Sequence, residues 1–401
     1  MTDLSWAQVS ARRLRRHRLG TPVVDAAPEA APDAAPEAAP DAAPDAARVA
    51  DVVSTICGAH AQIASAAELS IGLRVPGATR ALVRRALWTN RTLVKTRGPR
   101  GTVHLLAAAD LPMWVGALAA LPTPSWERSA VLLTPRQTEQ VLAAIAEAVA
   151  EADLTTAELT EEIVARTGPW AGDLVMEAFQ DKWPRWIAAM TAATRGGVIC
   201  FGPNRGRAST YTSPTRWLPD FAPMPGPAAL AALVRSYLHA YGPATPAQFA
   251  RWMAVPPGWA TSLFDSLDLA EVTVEGTRAW VAADDTEFPD DRPSGLRLLP
   301  YFDAYAVGCH PRERLFPGPA AERALAGGQA GNYPVLLVDG VVAGVWHQRR
   351  SGRSIRVTVG PLRTLDAARQ RELAEEVERV GGILEGNASL TIGTVSVGPH
   401  A

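Results

Sequence analysis

The pattern that most constrains this chain is a unit that occurs three times in order: a short helix, then two short strands joined by a Gly-containing tip. The first copy opens at Pro76-Gly77-Ala78-Thr79 and sets a helix over Arg80 to Leu87. Strands Thr92 to Thr96 and Thr102 to Leu106 follow around Arg97-Gly98-Pro99-Arg100-Gly101. The second has a helix from Pro184 to Thr194 and a strand from Gly197 to Phe201. Its tip is Gly202-Pro203-Asn204-Arg205-Gly206-Arg207, and Ala208 to Thr212 is the return strand. The third sets a helix over Gly258 to Leu267, then strands Ala270 to Val274 and Arg278 to Val281 around Glu275-Gly276. A helix feeding a two-stranded hairpin is the layout of a winged helix-turn-helix. The later copies carry their own start signals, a capping box at Thr155-Thr156-Ala157-Glu158 and Thr245-Pro246-Ala247-Gln248, with Pro at N1 and Gln at N3. A period of roughly 90 to 100 residues is too long for a solenoid.

From Leu296 the texture turns to strands: Leu296 to Phe302, Val335 to Val338, Val341 to Gln348 after an Asp339-Gly340 turn, and Ile355 to Val359. A helix over Asp366 to Val380 and a strand over Ser389 to Thr394 close the chain. The expected fold is α+β. Three tandem winged helix-turn-helix modules (residues 1–120, 121–220 and 221–290) precede an antiparallel β-barrel-like module (291–401).

At 401 residues, 47% hydrophobic and with a mean hydropathy of zero, the chain has ample core for such modules. No eighteen-residue apolar run offers a membrane span, and the Arg-rich start is no secretory signal. Cys57, Cys200 and Cys309 lie far apart with no CxxC spacing, which points to a reducing cytoplasm, no disulfide framework and no metal site. Walker, HExxH, GxSxG and dinucleotide-binding patterns are absent, so no cofactor is expected.

Residues 26 to 45 are five AAP(D/E) tetrapeptides. The insert, 26–47, has a Pro every fourth residue and little to bury, and reads as an extended, disordered linker. Without its acids and Asp25, six carboxylates in all, the net charge of −2 becomes about +4, a mildly basic body. Of 39 basic residues only Lys95 and Lys182 are lysines. The Arg bias by itself also follows from a GC-rich genome, so placement matters more.

Arginines concentrate at four places. The helix opened by the Ser5-Trp6-Ala7-Gln8 capping box carries Arg12, Arg13, Arg15, Arg16, His17 and Arg18, which suits a phosphate-facing side. Arg84 lies on the first copy's helix, Arg97 and Arg100 at its tip, and Arg205 and Arg207 at the second tip. Arg349, Arg350 and Arg353 mark a further hairpin. Such tips read as duplex-DNA contacts, against the alternatives of protein-binding wings and, for the last hairpin, an ordinary solvated turn. The acidic third tip at Glu275 reads as structural. Trp183, Trp186 and Trp346 could stack on a base, but core packing is the default.

One short stretch stands apart, His60-Ala61-Gln62 between two helical runs, the first ending at Gly58 and the second spanning Ser65 to Arg74. In an extended conformation the two polar side chains point to one side. The bland reading makes Gln62 a helix cap and His60 a boundary histidine.

Together these stretches resemble the AlkZ-like DNA glycosylases. The matching residues are Leu4-Ser5-Trp6 with the Arg-rich helix, Arg100-Gly101-Thr102-Val103-His104-Leu105, and Phe201-Gly202-Pro203 with Arg205-Gly206-Arg207. Tyr241-Gly242-Pro243-Ala244-Thr245-Pro246 with Trp252, Leu298-Leu299-Pro300-Tyr301-Phe302-Asp303-Ala304-Tyr305, and Asp339-Gly340 leading to Trp346 complete the set. The resemblance implies a C-shaped cleft for duplex DNA and hydrolysis of the N-glycosidic bond of bulky, cationic N7-alkylguanine adducts, with a role in base excision repair and self-resistance to a genotoxic natural product. It also implies that His60 and Gln62 occupy the family's catalytic Gln-x-Gln or Gln-x-Asp pair. Gln62 matches the second position, and His60 departs from the Gln of the first.

An N7-alkylated purine already leaves well, so the pair has only to place a water and stabilise an oxocarbenium-like sugar. Imidazole can act as the base, and an amide can orient the water. With two lysines in the chain, Schiff-base strand cleavage has few candidates, so a monofunctional enzyme leaving an abasic site is expected, and three winged helices already in one chain argue for a monomer. The alternatives are a non-enzymatic winged-helix transcription regulator and a protein-binding array.

Overall fold

A computed structural model describes residues 3–20, 42–122, 132–177 and 181–399, with side chains from residue 45 onward in the second stretch. The chain forms two compact units. The first comprises Met1–Asn90, Ser236–Gln248 and Asp268–Ala401, and the second Arg91–Arg235 and Phe249–Leu267.

In the first unit the helix Trp6–Arg16 starts where expected, because Ser5 and Gln8 satisfy each other's backbone N–H groups. The strand Asp3–Leu4 just before it lies parallel to Leu269–Val274, at the open edge of the hairpin completed by Thr277–Ala282. The tip of that hairpin is held by the chain itself. Glu275 donates its N–H to the Leu4 carbonyl, and its carboxylate accepts from Trp6 N–H and pairs with Arg314.

Helix Ala42–Thr55 corrects one expectation. The end of the AAP(D/E) insert, through residue 47, is helical rather than extended, while residues 26–41 lie outside the described residues. Pro44 is tolerated in the first turn, where its missing N–H costs nothing, and Asp45 there suits the helix dipole. Ala46 and Val49 are buried, so the helix has a face to bury. Helices Ala64–Gly72 and Arg80–Trp88 follow, the latter capped by Thr79.

The C-terminal sheet of this unit runs in the order Leu296–Leu299, Val335–Val338, Val341–Ser351, Ser354–Pro361, Asn387–Ile392. Three junctions are antiparallel, but the last is parallel, a second correction. Helix Ala367–Ile383 intervenes before the last strand. A helical crossover returns the chain to the same end of the sheet and enforces a parallel neighbour. That helix packs on both edge strands, so the sheet curls around it as a half-barrel.

In the second unit, hairpin Leu93–Arg97/Val103–Ala107 precedes helix Leu111–Ala119. Helices Pro135–Val149 and Thr156–Thr167, both opened by reciprocal capping boxes, pack with Trp186 into a core of Val141, Ile145, Leu159 and Ile163. The helix expected from Pro184 is a 3-10 segment, Arg185–Ala189, continued by Met190–Arg195. The following strand begins at Cys200 and runs through Pro203 to Arg205, with an irregularity between Gly202 and Arg205. The tip therefore shrinks from six residues to Gly206-Arg207, with Gly206 at φ +61°. Trp186 and Trp346 are core residues, as the default reading held, and Trp183 stands exposed on the ribbon Leu174–Glu177/Lys182–Pro184. The three cysteines are buried and form no disulfide. No described helix is long and apolar enough to cross a membrane.

Candidate active site

The connection that carries His60 and Gln62 is shaped by how its helix stops. Cys57 turns into the left-handed region at φ +56°, and Gly58 N–H returns to the Val53 carbonyl at 2.8 Å, the closing pattern of a Schellman-type end. Tyr241 Oη, buried, donates to the carbonyl of Ile56 at 2.8 Å and pins the stop. Ala59 and His60 then run extended. His60 is buried, its imidazole lying almost parallel to the ring of Phe302 with centroids 4.5 Å apart and planes 23° from each other. Gln62 is exposed, and among the described residues its amide has no hydrogen-bond partner. The next helix is entered through Ile63, which makes no side-chain cap bond. Gln62 is therefore not spent on capping, which removes the bland reading for that residue.

Beside the motif is a cavity of about 200 Å³ whose walls include Ile63, Ala66, Leu69, Tyr301, Trp346 and Gln348. Two of the lining residues are chain neighbours of the motif and of the stacked ring, Ile63 directly following Gln62 and Tyr301 directly preceding Phe302. His347 also lines it; burial and the charge of Arg349 hold its imidazole below the ordinary histidine range.

Behind the motif lies a dry ionic lock. Arg74, just beyond the helix that Gln62 leads into, meets Asp303 through Nη2–Oδ1 and Nη1–Oδ2 at 2.8 and 2.9 Å, with neither side chain exposed. Ser70 Oγ and Tyr305 N–H donate to the same carboxylate at 2.7 and 2.9 Å. Burial alone would push the Asp303 carboxyl up, but the Arg74 charge and the bonds from Arg74 and Ser70 hold it below the usual carboxylate value. His17 is buried near this pair, donates Nε2–H to the Ala240 carbonyl at 3.1 Å, and has its pKa pushed down to about 3 by burial and by Arg74. Phe302, Arg74 and Asp303 escaped the sequence analysis as site residues. Two of them fall inside the Leu298 to Tyr305 stretch, whose density of aromatic and acidic residues was the available signal.

The family profile described as DNA glycosylase AlkZ-like matches residues 53–383. This chain belongs to the AlkZ-like DNA glycosylase family. It is 32% identical over 312 residues to the interstrand DNA cross-link repair glycosylase of Streptomyces sahachiroi, a match spanning 74% of this chain and 81% of that protein. The solved structure of the Streptomyces sahachiroi DNA glycosylase AlkZ is similar over 98% of this chain and 100% of its own, at 26% identity and a TM-score of 0.75. The mixed helix-and-strand fold is thus shared along nearly the whole length of this AlkZ-like glycosylase.

The arginines of this glycosylase divide by what their guanidinium groups already hold. Arg12 and Arg13 are buried: Arg12 donates to the carbonyls of Asp285 and Glu287, Arg13 to those of Pro243 and His310. Arg16 pairs with Asp285. Arg12 and Arg13 therefore point inward and tie distant segments of the first unit, whereas Arg15 and Arg18 are exposed and pair with Asp291 and Asp51. At the first tip Arg97 donates to the Gly101 carbonyl and Arg100 to that of Trp252, both at modest exposure. Arg84 pairs with Glu68, and Arg205 with Glu158, whose carboxyl that pairing lowers to about 2. Arg207 is exposed. On the last hairpin Arg350 is tied to the carbonyls of Gly352, Leu384 and Glu385. Arg349 and Arg353 are exposed, and Arg349 stands directly opposite Arg356 across the two strands. Among the described residues these three have no carboxylate partner.

Proposed function

We propose that this glycosylase excises bulky, cationic N7-alkylguanine adducts from duplex DNA, with His60 and Gln62 as its catalytic pair. The observation that carries the reading is the uncommitted, exposed amide of Gln62 two residues from an imidazole, that of His60, which Phe302 holds in place. The adduct is a cation before reaction and leaves as a neutral base, so the protein's task is to place water against the sugar. His60, held by Phe302, takes a proton from that water, and Gln62 orients it through its amide. The Streptomyces sahachiroi relative is an interstrand cross-link repair glycosylase, which favours large lesions and extends the substrate class to cross-links here. Such an enzyme protects a cell that makes or meets a DNA-alkylating natural product.

The three helix-then-hairpin copies act in this reading as winged helices on the duplex. The last hairpin is the strongest phosphate contact, because opposed arginines repel each other until an anion arrives. Arg84, Arg97, Arg100, Arg205 and Arg207 are supporting contacts. The protein works as a monomer, and strand cleavage does not follow base loss. Lys182 pairs with Glu177, and Lys95 is half-buried against the Phe201 ring, so neither lines the cavity.

Base release tests the reading. Duplexes with one bulky N7-alkylguanine are incubated with protein, and abasic sites are scored by alkaline cleavage. Release by the native chain and loss of release in Gln62→Ala is expected. Intact bases together with tight binding to one undamaged sequence would point to a regulator instead.

A further inference from the structure

The register of the C-terminal sheet sorts its side chains into rows. On strands Val341–Ser351, Ser354–Pro361 and Asn387–Ile392, opposed residues share a face, and the same face returns at every second position. One face carries Ile355, Val357 and Val359, all buried. On the other, Arg349, Arg356 and Ser389 form a row, and His347, Thr358 and Thr391 form the next. Val345 opposite Gly360 continues the series, with the Gly393 carbonyl oxygen 3.1 Å from where a Cβ at Gly360 would stand. No carboxylate stands in any of these rows.

The rows run into a cavity of about 580 Å³ within the first unit, whose walls include Val345, Gly360, Gly393, Thr394, Arg323 and Arg363. Arg323 is fixed there, its guanidinium over the Tyr333 ring and donating to the Val395 carbonyl at 2.6 Å. Arg363 is exposed, and no carboxylate of the described residues pairs with it. It follows Arg356 by seven positions, so their Cα atoms are no more than about 25 Å apart.

Gly393 has no internal reason to be glycine. Its φ lies outside the left-handed region, and a Cβ there would meet nothing within 4 Å. A glycine that neither backbone nor packing demands fits a place where something from outside approaches closely.

We propose that this face is a track for the sugar–phosphate backbone of one strand of the duplex, leading from the arginine hairpin to the cavity, where Arg363 and Arg323 take a further phosphate. The proposal rests on the hairpin being a phosphate contact and extends that contact along the sheet. Arginines at both ends and hydroxyls between them supply donors, and no acid in the rows repels the backbone. The strip at Gly360 and Gly393 has no side chains to obstruct a sugar, and Ile392, 47% exposed, offers an apolar surface beside it.

The test is a salt titration of undamaged-duplex binding, read by fluorescence anisotropy. Arg363→Gln is expected to lower the slope of log affinity against log salt by about 0.9. Gly393→Val adds bulk without touching charge, and is expected to weaken binding by about tenfold while the melting temperature holds. A purely structural glycine would instead lower the melting temperature and leave affinity alone. Arg363→Gln changes only an exposed side chain, so it carries the test if the valine variant does not fold. A native slope in Arg363→Gln, or native affinity in a folded Gly393→Val, overturns the track alone when Arg349→Gln/Arg353→Gln/Arg356→Gln still flattens the slope. If that triple variant also keeps the native slope, the hairpin falls as a phosphate contact and the track with it.

Discussion

Arg74 and Asp303 meet through two parallel hydrogen bonds with both side chains out of contact with solvent, across 229 residues of sequence. The pair joins the end of the helix that follows Gln62 to the residue after Phe302, so it fixes the spacing within the candidate site. A buried ion pair gains little over a well-packed apolar pair, but a lone buried charge is expensive. Arg74→Met is therefore expected to cost about 3–5 kcal/mol in denaturant unfolding. The double change Arg74→Met/Asp303→Leu should recover a large part of that loss. A double variant as unstable as the sum of its parts would rule out the charge argument.

Acid should weaken the fold before the carboxylates titrate. His17 has a folded pKa of about 3 against an ordinary 6.5, so below pH 6.5 the unfolded chain binds a proton that the folded chain refuses. Its contribution is present in full above pH 6.5 and declines as the pH falls toward 3, by up to about 1.4 kcal/mol per unit. Asp303, held below its ordinary value, adds a further loss only at pH values below about 3.8. Melting temperatures from pH 7 to 4 should fall, and His17→Gln should flatten the slope while keeping a donor for the Ala240 carbonyl.

For the candidate pair, Gln62→Ala and His60→Ala are each expected to lower base release by a factor of about 10² or more. His60→Gln supplies an amide that can orient water but cannot take its proton, so release should fall nearly as far as in His60→Ala. Release within about tenfold of the native rate would mean that the imidazole is not the base.

The stacking of His60 on Phe302 gives a separate readout. Phe302→Ala removes the surface that holds the imidazole but touches no phosphate contact. The rate constant for release should drop by about tenfold with duplex affinity changed less than about twofold. An equal loss in affinity and rate would place Phe302 on the DNA instead.

The two classes of arginine should separate in salt titrations of duplex binding. Arg349→Gln/Arg353→Gln/Arg356→Gln is expected to reduce the slope of log affinity against log salt by up to about 2.7, near 0.9 for each phosphate lost. Arg12→Met should leave that slope unchanged and lower the melting temperature, since its guanidinium serves carbonyls within the first unit.

Local structure was the part most legible in the sequence. Ser5 with Gln8, Thr155 with Glu158 and Thr245 with Gln248 begin helices because each cap needs only residues three apart. The hairpins at Leu93–Arg97/Val103–Ala107 and Leu269–Val274/Thr277–Ala282 followed from alternation and Gly-bearing turns in the same way. What escaped depended on partners far along the chain. A helical wheel cannot show that Arg12 and Arg13 face carbonyls more than 200 residues away. Nor can spacing show that Phe302 backs His60, or that the helix before Asn387 brings the last strand in parallel.

The distance along the chain between Gln62 and Phe302 has a further consequence for how the protein comes into being. At a synthesis rate of ~5–20 residues per second, the motif is made roughly 10 to 50 s before the ring that orders its imidazole. The curled sheet, which supplies Trp346 and Gln348, and its last strand, Asn387–Ile392, follow later still. An enzyme that opens abasic sites in a genome is dangerous when half-built. Here the order of translation itself withholds the candidate site's later half until almost the whole polypeptide has left the ribosome, so a prematurely terminated product is expected to be inert toward DNA bases.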